Sequence, residues 1–196
     1  MPIPISYSIK NVWVRWRTTL FTVLGIALVV FVYTGVLMLS QGIRTTLVAT
    51  GSVENVIVVQ RSAISEISSG IDRDGFNLLT TLPGIERKAD GSPVSCGELV
   101  VLITQPKRGS GDKVNVTIRG TEPKVLELRK NVVLKEGRMF TPGTSELVVG
   151  SGAARMFENI AVGSIITFAQ RKWTVVGLFD AGKSGFDSEM WGDIAQ

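Results

Sequence analysis

Histidine is absent from the 196-residue chain, and cysteine occurs once, as Cys96. Without histidine there is no Ser-His-Asp or Cys-His machinery and none of the usual zinc sites. A single cysteine closes no intrachain disulfide, so whatever folds here is held by its core. Acidic residues are missing from a long N-terminal stretch: the first is Glu54, and Lys10, Arg15, Arg17 and Arg44 precede it. The net charge of +4 therefore belongs to that end, because the other 17 Lys/Arg match the 17 Asp/Glu in number. A chain with its basic excess confined in this way carries no basic face for nucleic acid.

What the chain does have is one long uncharged run. From Thr18 to Ile43 it reads TTLFTVLGIALVVFVYTGVLMLSQGI, and mean hydropathy over the whole chain is +0.27. About twenty apolar residues cross the hydrocarbon core of a bilayer, so residues 18–43 are expected to form a transmembrane helix. A cleaved signal peptide is the competing reading. Its apolar core is ordinarily about 7–15 residues with a small-x-small site behind it, whereas this run is longer and ends LMLSQGIRTTL. That favours a retained anchor. Residues 1–17 read as a basic amphipathic segment at the bilayer interface, with Ile5, Ile9, Val12, Trp13 and Trp16 at helical spacing and Lys10, Arg15 and Arg17 between them. Tryptophans suit the headgroup level and basic residues the cytoplasmic side. Lys10, Trp13, Arg15, Trp16 and Arg17 are therefore the residues expected to set topology and depth, with the N-terminus in the cytoplasm and the rest outside. Gly25, Gly35 and Gly42 lie in the span, but no G-x-x-x-G motif marks a helix partner.

Residues 44–196 are expected to form one extracytoplasmic domain. The helix is expected to continue through Arg44 to Thr50 and end at Gly51. ENVIVVQ (54–60) reads as a first strand, rich in β-branched residues. IDRDGFNLLTTL (71–82) reads as a short helix with Asp72 as cap. CGELVVLITQ (96–105) and KVNVTIRG (113–120) read as a hairpin with a polar tip, and TEPKVLELRK (121–130) as a short helix capped by Thr121. ELVVG (146–150) is a strand and GAARMFENI a short helix. SIITFAQ (164–170) and KWTVVGLF (172–179) read as a second hairpin, and the last dozen residues as polar and irregular. Short strands, short helices and hairpin links give an α+β class.

Two stretches imitate nucleotide sites. Gly177 to Ser184 matches G-x-x-x-x-G-K-[ST] after a good strand, but a phosphate loop needs a helix behind it and GFDSEMWGDIAQ is a poor one. VVGSGAARM (148–156) resembles the start of a dinucleotide fingerprint, but the third glycine position is Arg155. Asp72, Asp74, Asp180, Asp187 and Glu189 match no calcium loop. No catalytic, cofactor or metal site is assigned, and an extracytoplasmic enzyme is the reading with least support.

An ordered set of stretches resembles a known family: ENVIVVQ, LPGI (82–85), TIRG (117–120), EGRMFTPG (136–143), ELVVGSGAA (146–154), VGSIITFAQRKWTVVGLFDAG (162–182) and SEMWGD (188–193). Behind one membrane span, they resemble the N-terminal half of a MacB/FtsX-type ABC transporter permease, with a MacB-like periplasmic core domain. The resemblance implies a bacterial inner-membrane permease subunit that uses no cofactor of its own. It implies a cytoplasmic ABC ATPase as a separate chain, pairing as a homodimer or with a second permease, and in some systems a membrane-fusion adaptor. It also implies further periplasmic sequence and three more spans beyond Gln196. Motion would pass from the ATPase to the outer domain to drive export, extraction of lipid-linked cargo or activation of a cell-wall enzyme. Glu136, Gly137, Arg138, Pro142 and Gly143 match a family turn, and turn geometry alone also explains them. The alternative is a single-span anchored binding or scaffold module with no transport activity.

Overall fold

The computed structural model describes residues 13–52, 54–182 and 184–196. The chain divides into two units, Met1–Thr45 and Thr46–Gln196. Helix α1 (Trp16–Thr50) has 35 residues, and Trp16–Thr45 is long and apolar enough to cross a membrane. At about 1.5 Å per residue it is longer than the ~30 Å hydrocarbon core. Four of its threonines are reconciled with an apolar setting by their own backbone. The hydroxyls of Thr19, Thr22, Thr34 and Thr45 donate to the carbonyls of Arg15, Thr18, Val30 and Gln41, four residues back.

In the second unit, helix α2 (Arg73–Leu79) starts where the sequence places it. Asp72 caps it by accepting from the Gly75 amide at 2.7 Å. The sheet holds β1 (Leu99–Pro106), β2 (Lys113–Thr121), β3 (Val133–Gly137), β4 (Glu146–Gly150), β5 (Ile165–Phe168), β6 (Arg171–Asp180) and β7 (Glu189–Asp193). Its order is β1-β2-β7-β4-β6-β3, and β5 pairs the first part of β6. Both expected hairpins form, β1 with β2 and β5 with β6. The centre is mixed: β2–β7 and β4–β6 are parallel, and β4–β7 is antiparallel. Helices α3 (Val125–Leu128) and α4 (Ser151–Met156) are short.

The core lies on both faces of this sheet. Leu147, Val149, Met190, Val175 and Trp173 pack on one side with Ala153 and Phe157, which follow from α4. Val148, Trp191 and Phe179 pack on the other with Val125, Phe140 and Phe186. Burial on both faces is why β4 reads as an unbroken apolar run instead of alternating.

Three expectations need correction. ENVIVVQ is not a strand: its backbone pairs with no strand, because β propensity needs a hydrogen-bonded neighbour to become a ladder. Thr121 does not cap a helix. It is buried at the end of β2, its hydroxyl lies 3.2 Å from the Cys96 thiol, and α3 starts later with Lys124 at its N-cap. The stretch 133–137, assigned to no element above, is a strand, β3. The last dozen residues are not irregular, for β7 is a central, buried strand. The polar tip of the hairpin between β1 and β2 is anchored to α4. The Arg108 guanidinium donates to the carbonyls of Ala154 at 3.1 Å and Phe157 at 3.3 Å, closing the C-terminal end of α4.

The β5–β6 turn offers a stability test. Ala169 and Gln170 both have positive φ, 49° and 60°, a conformation that suits Asn-Gly far better. The double change Ala169→Asn/Gln170→Gly is expected to raise stability by about 1 kcal/mol. Thermal unfolding of the detergent-solubilised chain measures it, and a lower melting temperature would contradict the turn assignment.

Candidate functional site

A dense constellation of charge in the domain surrounds Arg119. Its side chain is 4% exposed, in the second half of β2. Nε donates to Glu189 Oε2 and Nη2 to Glu189 Oε1, both at 2.8 Å, which is a bidentate pair. Nη1 meets Glu66 Oε2 and Glu98 Oε2, each at 2.7 Å. Burial by itself lowers the pKa of this guanidinium. The bonds and charges of Glu189, Glu98 and Glu66 outweigh that and hold it above its ordinary value, so it is permanently charged. Arg129, just past α3, binds Glu98 at 2.6 Å and lies over Phe186, 4.0 Å from the ring centroid. The Trp191 indole N–H donates to Glu189 Oε2 at 2.9 Å.

The parallel pairing of β2 with β7 builds this cluster, since Arg119 stands opposite Trp191 and Glu189 begins the partner strand. Two stretches far apart in the chain, TIRG and SEMWGD, are therefore neighbours in the sheet. Their shared chemistry is invisible locally, because the Arg119–Glu189 contact spans 70 positions. Each guanidinium is spent on structural carboxylates, so the cluster offers no open acid, base or nucleophile. It ties five segments together.

The turn 136–143 is a second charged junction. The Arg138 guanidinium grips both oxygens of Glu146, and Glu146 Oε2 also accepts from the Thr141 amide at 2.9 Å. Arg138 first, aided by Thr141, pulls the Glu146 carboxyl down to about 2 against burial, which pushes it up. Gly143 donates its amide to the buried Asp193 carboxylate at 2.7 Å. A carboxyl with a depressed folded pKa stabilises the fold above its unfolded value of 4.5, and that contribution disappears as pH falls through about 2. Arg138 is mostly exposed, which limits the effect to about 1 kcal/mol. Glu146→Gln is thus expected to destabilise at pH 7 and to flatten the loss of stability between pH 4.5 and 2. Thermal melts across that range measure it, and an unchanged pH profile would contradict this account.

The residues expected at the membrane interface divide. Lys10 lies outside the described residues, with Ile5, Ile9 and Val12. Trp13 and Trp16 are exposed, Arg15 is a turn residue between them, and the Arg17 guanidinium lies 5.5 Å from the Trp16 ring centroid.

Both nucleotide look-alikes have structural explanations. A Cβ on Gly150 would lie 2.3 Å from the Asp187 carbonyl oxygen, and one on Gly152 would lie 2.8 Å from it. Those glycines admit the 3-10 turn Gly185–Ser188, and the Asp187 carboxylate sits beside Gly152 where a phosphate would need to go. At the other motif, Asp180 accepts from the Gly182 amide at 2.8 Å and Ser184 is buried. Lys183 lies outside the described residues. A four-residue turn and then β7 follow, not a helix. Among the described residues no cluster of His, Cys, Asp and Glu is arranged for a metal.

Residues 19–196 match the profile of the MacB-like periplasmic core domain. No curated protein matches the chain. Among solved structures it is similar to the extracellular domain of the noncanonic ABC-type transporter YknZ from Gram-positive bacteria, at 18% identity and a TM-score of 0.42, covering 63% of this chain and 62% of that one. It is also similar to the periplasmic region of MacB from Actinobacillus actinomycetemcomitans, at 16% identity and a TM-score of 0.40, covering 61% of this chain and 53% of that one. The chain thus spans less than two thirds of the length of either.

Proposed function

The chain belongs to the family of MacB-like periplasmic core domains, and from that premise we propose that it is the N-terminal, membrane-anchored part of an ABC-type permease, passing ATP-driven motion from a cytoplasmic ATPase to an extracytoplasmic domain. The observation that carries this reading is the extent of the family match. It begins inside α1 and runs through the last strand, so span and domain form one family unit. The chemistry of the domain agrees with a mechanical task. Its buried Arg119 is locked in ion pairs that hold segments in place.

In this reading residues 1–17 lie at the cytoplasmic interface, 18–43 span the bilayer, and 44–196 stand outside. The basic residues ahead of the span support that orientation. ATP is hydrolysed on another chain. The outer domain pairs with a copy of itself or a second permease and drives export or extraction of cargo, with a membrane-fusion adaptor as a further partner.

The test uses the membrane-embedded chain with Cys96→Ser and a new cysteine at Ser110, on the exposed β1–β2 tip. An impermeant maleimide is expected to label it from the outer side. Immunoprecipitation of the native chain is expected to bring down an ATP-hydrolysing protein, and crosslinks between paired domains are expected to change with a non-hydrolysable ATP analogue. Crosslinks indifferent to nucleotide would overturn the transport reading.

A further inference from the structure

We propose that Glu66 is a detachable latch that fastens the segment joining the membrane helix to the sheet, and that the segment swings away from the sheet when this one ion pair opens. The inference rests on the reading above for its purpose, whereas the latch itself is tested without any ATPase.

The polypeptide between α1 and α2 has little of its own to hold it. Val56, Ile57, Val58 and Ile64 are exposed, and Ile64 is 97% so. Its second half is closed into a small loop by Gln60, whose amide donates to Ser69 Oγ at 2.9 Å and whose side-chain oxygen accepts from the Gly70 amide at 3.3 Å. Glu66 stands at the tip of this loop, at the start of the 3-10 turn Glu66–Ser68. Among the described residues, two polar tethers join the segment to the rest of the domain: Asn55 Nδ2 donates to the Leu128 carbonyl at 2.6 Å, and Glu66 accepts from Arg119.

The charge balance around Arg119 makes the Glu66 tether the releasable one. Three carboxylates, Glu66, Glu98 and Glu189, face two guanidiniums, Arg119 and Arg129. Glu189 and Glu98 are 12% and 22% exposed, whereas Glu66 is 37% exposed. When Glu66 leaves, two largely enclosed acids, Glu98 and Glu189, remain on two bases, Arg119 and Arg129, and the departing carboxylate enters water that already reaches it. No unmatched charge is left inside, which is the usual reason for a buried pair resisting rupture. Removing Glu189 or Arg119 has the opposite effect. A segment with few apolar contacts and one neutralising tether is the kind of element that opens locally while the sheet stays folded.

The experiment is a double-label distance measurement by electron paramagnetic resonance on the full chain in lipid nanodiscs, with Cys96→Ser and spin labels at Ile64→Cys and Ser110→Cys. The parent is expected to give one dominant distance. Glu66→Gln is expected to add a second population of roughly a third of the molecules or more, a shift that a modest loss of coupling energy produces. Its unfolding midpoint is expected to stay within about 2 °C of the parent, the scale of a surface change. A distance distribution unchanged by Glu66→Gln would overturn the latch. So would a midpoint that falls as far as that of an Arg119 variant, since Glu66 would then be part of the sheet's foundation. Neither result bears on nucleotide-dependent crosslinking, so the two readings fail separately.

Discussion

Arg119→Met is expected to destabilise the domain by about 3–5 kcal/mol, the cost of leaving buried carboxylates without their base. For a domain of this size that lowers the melting temperature by roughly 10 °C. Three acids converge on the guanidinium, and the most enclosed of them, Glu189, gives it both oxygens. With Arg119 gone, Arg129 alone faces Glu66, Glu98 and Glu189. Glu189 keeps the Trp191 indole as a donor but loses its counter-charge. Methionine fills much of the space, so the loss reports charge and not a cavity. Adding Glu189→Leu to Arg119→Met is expected to recover a good part of the stability, because it removes the stranded acid together with its base. Melts of the solubilised chain give all three values. If the double variant is the less stable of the two by the full cost of each change, the coupling drawn here is wrong.

The difference between Arg119 and Glu66 shows which parts of this molecule the sequence discloses. Local signals were reliable where a residue's partner is near: Asp72 caps α2 from three positions away, and both hairpins form at their alternating strands. They misled wherever the partner is distant. β7 carries Glu189, Trp191 and Asp193, which looks like a polar tail. Each of these is satisfied by a residue far along the chain: Glu189 by Arg119, the Trp191 ring by Phe179, and Asp193 by the Gly143 amide. Conversely, ENVIVVQ has the composition of a strand and no strand beside it. β3 leaves no mark on the sequence pattern because all five of its residues are exposed, so it carries no alternation. The ordered family stretches were legible throughout, since a resemblance samples the whole chain at once. The membrane helix was legible for a simpler reason: a single run of apolar residues needs no partner to be recognised.

Gly137→Ala is expected to cost several kcal/mol, about as much as the loss of Arg119. Its place in the turn EGRMFTPG is explained by sequence alone as turn geometry, and turn geometry is only part of the matter. Gly137 has φ of 72°, which already disfavours a side chain by about 1–2 kcal/mol. In addition, a Cβ there would lie 2.1 Å from the carbonyl oxygen of Val176 and 2.9 Å from the Cα of Gly177. Both are backbone atoms of β6, held by β4 on one side and by β3 on the other, so neither can move aside cheaply. The facing residue is Gly177, where a Cβ would meet the Arg138 carbonyl oxygen at 2.4 Å. Two backbones pass each other here at a distance that only glycine on both sides allows. Gly143 is the control. Its φ is similar at 83°, but a Cβ would meet nothing within 4 Å, so Gly143→Ala should show the conformational cost alone, about 1 kcal/mol. Melting the two variants side by side separates strain from contact. Equal losses would mean that the close approach of β3 to β6 contributes nothing. A much larger loss at Gly137 would mean that the turn is fixed by the strand it touches. In that case Arg138 and Glu146 owe their pairing to this crossing, and the change at Gly137 should also raise the Glu146 carboxyl from about 2 towards its ordinary value.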